Sequence, residues 1–221
     1  AVVFAARAEA RQARAPDAGA GKARALLHPF LQVCQGHKLA FGHAVDVDKA
    51  GLADYGKPGN YFARQLDRWS RQYRDSETQA IPAMEALITQ LPLRCPDDDG
   101  SIVLVHGDFR IDNLMFTPDG GQVLAVVDWE LSTLGHPLAD LGYLCMALRL
   151  PRNPALPGLA GMDRAALGIP DEAEMLARYA ELTGRSIPAD WPFVLAFSFF
   201  RLAAIAQGVA KRAQQGNASS E

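Results

Sequence analysis

Cysteine is scarce in this chain. Cys34, Cys95 and Cys145 stand far apart among 221 residues. They form no CxxC pair and no metal-ligand spacing, which excludes a disulfide framework and a zinc module as organising devices. A reducing, cytoplasmic location is the expectation that follows. An excess of one charge is also lacking. Lys and Arg number 22 against 25 Asp and Glu, a net charge of −3. That supplies no basic field, so no nucleic-acid partner is expected. No apolar run reaches about 18 residues without a charge, so no membrane span is expected. The start, Ala1-Val2-Val3-Phe4, is followed by arginine rather than preceded by it, a poor secretory signal. Glu9 and Asp17 count against a transit peptide. Gly19-Ala20-Gly21-Lys22 follows no strand, and Ala23 stands where Ser or Thr would meet Mg²⁺, so it is not a P-loop. What is present is 49% hydrophobic and 21% charged, a globular composition long enough for one ordinary domain or two small ones.

The informative stretch is Val103–Asp128. The run Ile102-Val103-Leu104-Val105 reads as a short buried strand. It enters His106-Gly107-Asp108-Phe109-Arg110-Ile111-Asp112-Asn113, a polar loop. A second run, Val123-Leu124-Ala125-Val126-Val127, ends in Asp128. Between them Thr117-Pro118-Asp119-Gly120-Gly121 is dense turn chemistry. Two strand-like runs separated by a hairpin would bring Asp108, Asn113 and Asp128 to one end of a small sheet. Asp108 can take a proton from a hydroxyl. Asn113 offers a neutral oxygen and Asp128 a charged one to a hard cation such as Mg²⁺, whose remaining ligands are waters and substrate phosphates. Protein kinases use an Asp base followed by an Asn and an Asp on metal for phosphoryl transfer, and the roles are taken from that template. Each residue also has a plainer reading. An Asp after a strand often caps a helix or forms a turn, and it is the register of all three that favours chemistry.

On His106-Gly107-Asp108-x-x-x-x-Asn113 and Val127-Asp128-Trp129-Glu130, the chain resembles the aminoglycoside phosphotransferase-like small-molecule kinases, relatives of choline kinases. Val127 through Leu141, Gly51 through Phe62, and Gln207-Gly208 with Gly216-Asn217-Ala218-Ser219 resemble the branch found with, or fused to, acyl-CoA dehydrogenases. The resemblance covers His43 to Glu221. It implies ATP and Mg²⁺ as cofactors, with Asp108 as catalytic base and Asn113 and Asp128 holding metal and nucleotide. Glu130 would add a second carboxylate near the metal. Arg110 would steady the transferred phosphoryl group with a bidentate contact. Asp140 would brace the catalytic loop through backbone N–H groups, and His106 would be a buried structural histidine. Gly107 stands where protein kinases carry the arginine of His-Arg-Asp, which argues against an activation loop controlled through that arginine. Asp112 reads as a solvated or loop-bracing carboxylate, His136 as a turn former before Pro137, and Trp129 as a packing residue. The implied acceptor is a small-molecule hydroxyl. The branch points to a hydroxyacyl compound and to an acyl-CoA dehydrogenase as partner.

The implied fold class is α+β: the mostly helical C-terminal lobe of a protein-kinase-like fold, with a small β-hairpin carrying the catalytic loop. Residues 1–42 form an atypical Ala/Arg-rich segment and 43–221 the phosphotransferase lobe. A helix is expected within 25–45. Phe62, Leu66, Trp69 and Tyr73 fall on one helical stripe, with Arg64, Arg68 and Arg71 on other faces, a solvated set that could meet an anionic substrate. Pro82 opens a helix with Met84, Leu87, Ile88 and Leu91 inward, ended by Pro92. Pro137 opens another, with Leu138, Leu141, Leu144, Cys145 and Leu148 inward. Pro151–Pro170 reads as a long loop over the mouth of the site. A further helix starts at Pro170-Asp171-Glu172 and stops at Gly184. Trp191–Arg212 is apolar nearly all round, a buried helix in which Arg201 needs a partner. The upstream lysines Lys22, Lys38, Lys49 and Lys57 follow no strand-like run, so the N-terminal β-lobe of such kinases is expected to be absent and the chain to be a truncated form. Three functions stay open. The first is an ATP-dependent phosphotransferase, the second a non-catalytic remnant or binding module. The third, a metal-dependent hydrolase on His106, Asp108 and Asp128, would want more ligands than the core offers.

Overall fold

The computed structural model describes residues 37–118, 122–152 and 158–216. Its elements in chain order are α1 (His37–His43), α2 (Tyr61–Ser76), α3 (Pro82–Leu93), β1 (Val103–Val105), β2 (Leu114–Phe116), β3 (Val123–Val126), β4 (Thr133–Gly135), α4 (Leu138–Met146), α5 (Glu172–Thr183) and α6 (Trp191–Gln214). Single 3₁₀ turns, Ile111–Asn113 and Trp129–Leu131, precede β2 and β4. The architecture is α+β, with the helices forming the core and the short strands carrying the polar loops.

The helical core follows from side-chain spacing. On α2 the buried residues include Phe62, Leu66, Trp69 and Tyr73, the expected stripe. Arg64 of α2 does not point at a ligand; it donates to the carbonyls of Lys57 and Pro58 and pins the preceding loop. Helix α3 begins on Pro82 and runs one residue past Pro92, with Met84 and Leu91 buried and Leu87 and Ile88 packed at its edge. A proline in the last turn is tolerated because the helix is already ending there. All nine residues of α4 are buried, so it runs through the centre rather than along a face. Helix α6 crosses both α2 and α4. Gly142 permits the α4 crossing, since a Cβ there would meet Val194 Cγ1 at 2.6 Å and Ser198 Oγ at 2.9 Å.

Helix α6 is long and apolar enough, by length and composition, to cross a membrane, and 56% of its most apolar window is buried inside the fold. Phe197, Phe200 and Ala204 are closed off from solvent against the other helices. Helix α5 starts on a capping box. Asp171 accepts the Glu174 N–H at 2.9 Å and Glu174 accepts the Asp171 N–H at 2.8 Å, and Gly184 ends the helix at φ 68°.

The strands differ from the expected single hairpin. The runs around β1 and β3 are not neighbours. β1 pairs antiparallel with β4, Val103 opposite Gly135 and Val105 opposite Thr133. β3 pairs antiparallel with β2, Leu114 opposite Val126, with an irregularity between Met115 and Phe116. Two three-residue strands, β2 and β4, were too short to stand out as apolar runs. The polar motifs are therefore delivered by two small ribbons, not by one end of one sheet.

Two other expectations meet the structure only in part. Of the helix expected within 25–45, residues 37–43 are helical, 44–45 leave the helix, and 25–36 lie outside the described residues, as does most of the 1–42 segment. Of the Pro151–Pro170 loop, residues 153–157 lie outside as well, and the part from Gly158 turns back onto the end of α4 through Leu159 N–H to Ala147 O at 2.9 Å.

Replacing Asp171 by Ala removes the side-chain acceptor at the start of α5. The expected cost is about 1 kcal/mol in urea unfolding; an unchanged midpoint would show that α5 is held by packing alone.

Candidate active site

The site is built outward from a buried carboxylate. Asp140, in the first turn of α4, is 1% exposed. Its Oδ2 accepts the His106 N–H at 2.7 Å and its Oδ1 accepts the Gly107 N–H at 2.9 Å. These are the first two amides of the loop that leaves β1. The same Oδ2 lies 3.2 Å from His43 Nε2, and His43 Nδ1 lies 2.8 Å from the Tyr179 hydroxyl. A carboxylate only accepts, so His43 donates from Nε2 and Nδ1 takes the Tyr179 proton. Burial raises the Tyr179 phenol well above its ordinary pKa, which keeps it a donor. Helices α1, α4 and α5 thus converge on one loop through a single chain of hydrogen bonds.

Gly107 is held at φ 84°, and a Cβ there would lie 2.4 Å from the Leu131 carbonyl oxygen. No larger residue fits that approach. His106, 1% exposed, bridges the two motifs. Its Nδ1 accepts the Asp108 N–H at 3.2 Å, so Nε2 carries the proton and donates to Val127 O at 2.9 Å. Its neutral ring ties Asp108 to the residue before Asp128 and packs 4.6 Å from the Trp129 ring. Trp129 is 36% exposed and donates from Nε1 to Val126 O. It packs on one face only.

Asp108 sits at the lip. Asn113, 6% exposed, donates from Nδ2 to the Asp108 carbonyl and to Asp108 Oδ2, both at 2.9 Å. With its nitrogen so used, the Asn113 amide keeps its oxygen as the acceptor it can offer a cation. The Asn113 carbonyl accepts the Val127 N–H at 2.9 Å, which fixes Asp128 beside it. Asp128 is exposed and adopts φ 68°, ψ 54°, a left-handed conformation uncommon for a residue with a side chain. Such strain persists where the surroundings impose it, most often at functional sites. Glu130 is exposed on the turn that follows. Arg110 Nε lies 3.4 Å from Asp108 Oδ2 and its Nη1 3.8 Å from Asp112 Oδ2, with about half of the Arg110 side chain exposed. Asp112 braces this arginine. His136 accepts the Leu138 N–H on Nδ1 at 3.2 Å and shapes the turn into α4.

The structure joins Asp108, Arg110 and Asn113 by side-chain contacts and ties Val127, the residue before Asp128, to the Asn113 carbonyl, with His106 and Asp140 beneath. Asn113 and Asp128 offer oxygen donors only, a set that fits Mg²⁺ completed by water and phosphate. Among the described residues no three His, Cys, Asp or Glu side chains gather as a metal cage. A cavity of about 340 Å³ lies behind the loop, lined by Leu39, Val45, Leu124, Val126 and Trp129 and by His43, His106 and Asp140 of the loop support; Asp108, Asn113 and Asp128 are not in its lining. Cys145 is fully buried in α4. His43 and Tyr179 were missed in the sequence. A histidine at the end of an apolar helical stretch is the only signal His43 leaves, and nothing local links it to residue 140.

The phosphotransferase enzyme family matches residues 35–193. Mouse acyl-CoA dehydrogenase family member 10 is 50% identical over 179 residues, covering 80% of this chain and 17% of that protein. The probable acyl-CoA dehydrogenase IBR3 of Arabidopsis thaliana is 41% identical over 196 residues, covering 82% of this chain and 23% of that protein. A solved Ralstonia eutropha protein placed with the aminoglycoside phosphotransferases superposes with a TM-score of 0.80 at 51% identity, covering 87% of this chain and 60% of that one. Macrolide 2′-phosphotransferase type I shares the fold at 17% identity and a TM-score of 0.52. The chain thus spans well under a third of the length of the dehydrogenase relatives and 60% of the solved Ralstonia protein.

Asp140→Ala leaves two buried backbone N–H groups without an acceptor, so unfolding free energy should fall by at least about 2 kcal/mol. Amide exchange at His106 and Gly107 should accelerate selectively. Unchanged protection at those two amides would show that the loop is held by other contacts.

Proposed function

Because the chain belongs to the phosphotransferase enzyme family, we propose that its site serves ATP-dependent transfer of a phosphoryl group to the hydroxyl of a small molecule. The observation that carries this reading is the Asn113 amide. One side chain locks Asp108 through Nδ2 while its backbone carbonyl holds the strand end that presents Asp128. In this reading one residue positions both the base and the metal ligands.

In this reading Asp108 accepts the acceptor's proton as its oxygen attacks phosphorus, and the bond to the leaving phosphate oxygen breaks. The chain contributes chiefly position and charge, as phosphoryl transfer requires. Asn113 and Asp128 would hold Mg²⁺, with Glu130 as a further carboxylate nearby. Bound Mg·ATP supplies the phosphoryl group and a counter-charge for its oxygens. Arg110 must swing only from Asp108 to meet a phosphoryl oxygen, since its side chain is half exposed. Met115 of β2 and Val127 just after β3 expose apolar surface near Asn113 and Asp128, suited to a purine ring.

The dehydrogenase names of the relatives support a hydroxyacyl acceptor and action alongside an acyl-CoA dehydrogenase. Loop 51–60 lies against the site through Tyr55, whose hydroxyl meets Ser132 Oγ at 2.7 Å, and is a natural place for acceptor contacts.

Calorimetry of Mg·ATP on the native chain and on Asp128→Ala tests the nucleotide half. Mg²⁺-dependent binding that the variant loses is expected; no binding by either would favour a non-catalytic binding module. Asp108→Asn should lower phosphoryl transfer about 10²- to 10⁴-fold, the range for a lost general base, while Mg·ATP binding survives. A phosphatase activity that persists without ATP in the variant would overturn the kinase reading.

A further inference from the structure

Arg201 is the charge that interrupts α6 between Trp191 and Ala210. It is 5% exposed, yet it makes no ion pair with any described carboxylate. Its guanidinium carbon lies 5.2 Å from the centre of the Trp69 ring and 4.9 Å from that of Tyr143. Of its nitrogens, Nε is sealed from solvent with no hydrogen-bond partner. Contact with two rings offsets only part of the cost of a buried, unpaired charge. A core helix that needed only packing would carry Leu or Met here. Ring contact uses none of the guanidinium's in-plane N–H donors, the fork that matches a carboxylate or phosphate.

The position of that fork is informative. Tyr143 lies in α4 three residues after Asp140. Its phenol is raised to about 12 by burial first and then by the charge of Asp108, and Arg201 and Arg110 act on it in the opposite direction. One aromatic ring therefore stands between the base and the buried guanidinium. Asp140 of α4 is taken up by His43 and the His106 and Gly107 amides, Asp67 of α2 pairs with Arg71 at the surface, and no described carboxylate pairs with Arg201.

We infer that Arg201 is the anchor for an oxyanionic group of the acceptor, held edge-on beside Trp69 and Tyr143 while the acceptor's hydroxyl reaches Asp108. The acceptor class is then a hydroxylated small molecule with a free carboxylate or phosphoryl group. This rests on the phosphotransferase reading for the identity of the acceptor, but the anion site can be tested without ATP.

The test follows the Arg201 Nε–H resonance and Trp fluorescence while 3-hydroxybutyrate, inorganic phosphate and neutral butane-1,3-diol are added in turn. The expected result is a saturable shift with at least one anion and none with the diol, weakened about tenfold or more in Arg201→Met. The two anions separate a carboxylate source from a phosphoryl source. No shift with either anion, an equal shift with the diol, or unchanged affinity in Arg201→Met would overturn the inference. Should Arg201→Met fail to fold, the Nε–H response of the native chain against the diol decides alone. Anion binding through Arg201 in a chain that phosphorylates nothing would sink the kinase reading and leave the site standing. Phosphorylation of a neutral alcohol without anion binding would do the reverse.

Discussion

The Asp140 carboxylate is the constraint on which the rest of the site depends. It is buried at the start of the most enclosed helix, where an ionised group survives only if its oxygens are satisfied. The satisfaction comes from two consecutive backbone amides of the loop that leaves β1 and from His43. A charge placed in the core thereby dictates where a surface loop begins. The dependence is mutual, since the loop amides have no strand partner once β1 has ended. His106 then carries the position forward, from the Asp108 amide to the Val127 carbonyl, and Asn113 closes the ring between the two ribbons. Each link is an ordinary hydrogen bond; the precision comes from every one ending on a group that is itself buried or tied.

The helical core exists to hold that carboxylate in place. Helix α4 is buried on every side because α2 and α6 cover it, and the close approach at Gly142 sets the depth of the crossing. Within this apolar packing the polar exceptions are few and each has a place. His43 and Asp140 belong to the loop support. Gln207 donates to Ser76 O at 3.0 Å and closes the end of α2. Arg201 alone is met by ring faces instead of acceptors. The Tyr73 hydroxyl and Arg201 Nε are the buried side-chain atoms left without a hydrogen-bond partner among the described residues; a buried cation without an anion is the costlier departure, of a kind that gathers where a protein binds something.

What could be read without coordinates was whatever local chemistry settles. The stripe of Phe62, Leu66, Trp69 and Tyr73, the capping residues Asp171 and Gly184, and the apolar α6 follow from period and turn preference, which depend on near neighbours along the chain. The identity of Asp108, Asn113 and Asp128 as a set was legible because their spacing is itself a motif, and the family follows from it. The strand pairing was not legible. Three-residue strands carry too little pattern to declare themselves, and partners twenty or thirty residues apart are selected by how the ribbons pack. The support of the loop was legible at Asp140, through family resemblance, and invisible at His43 and Tyr179. Those two lie 97 and 39 residues from Asp140 along the chain, and only the convergence of α1, α4 and α5 makes them neighbours. The need of Arg201 for a partner could be stated from composition. That the partner is two aromatic rings and not a carboxylate was decided by the tertiary crossing of α2, α4 and α6, because burial, not sequence distance, determines which groups a charge can reach.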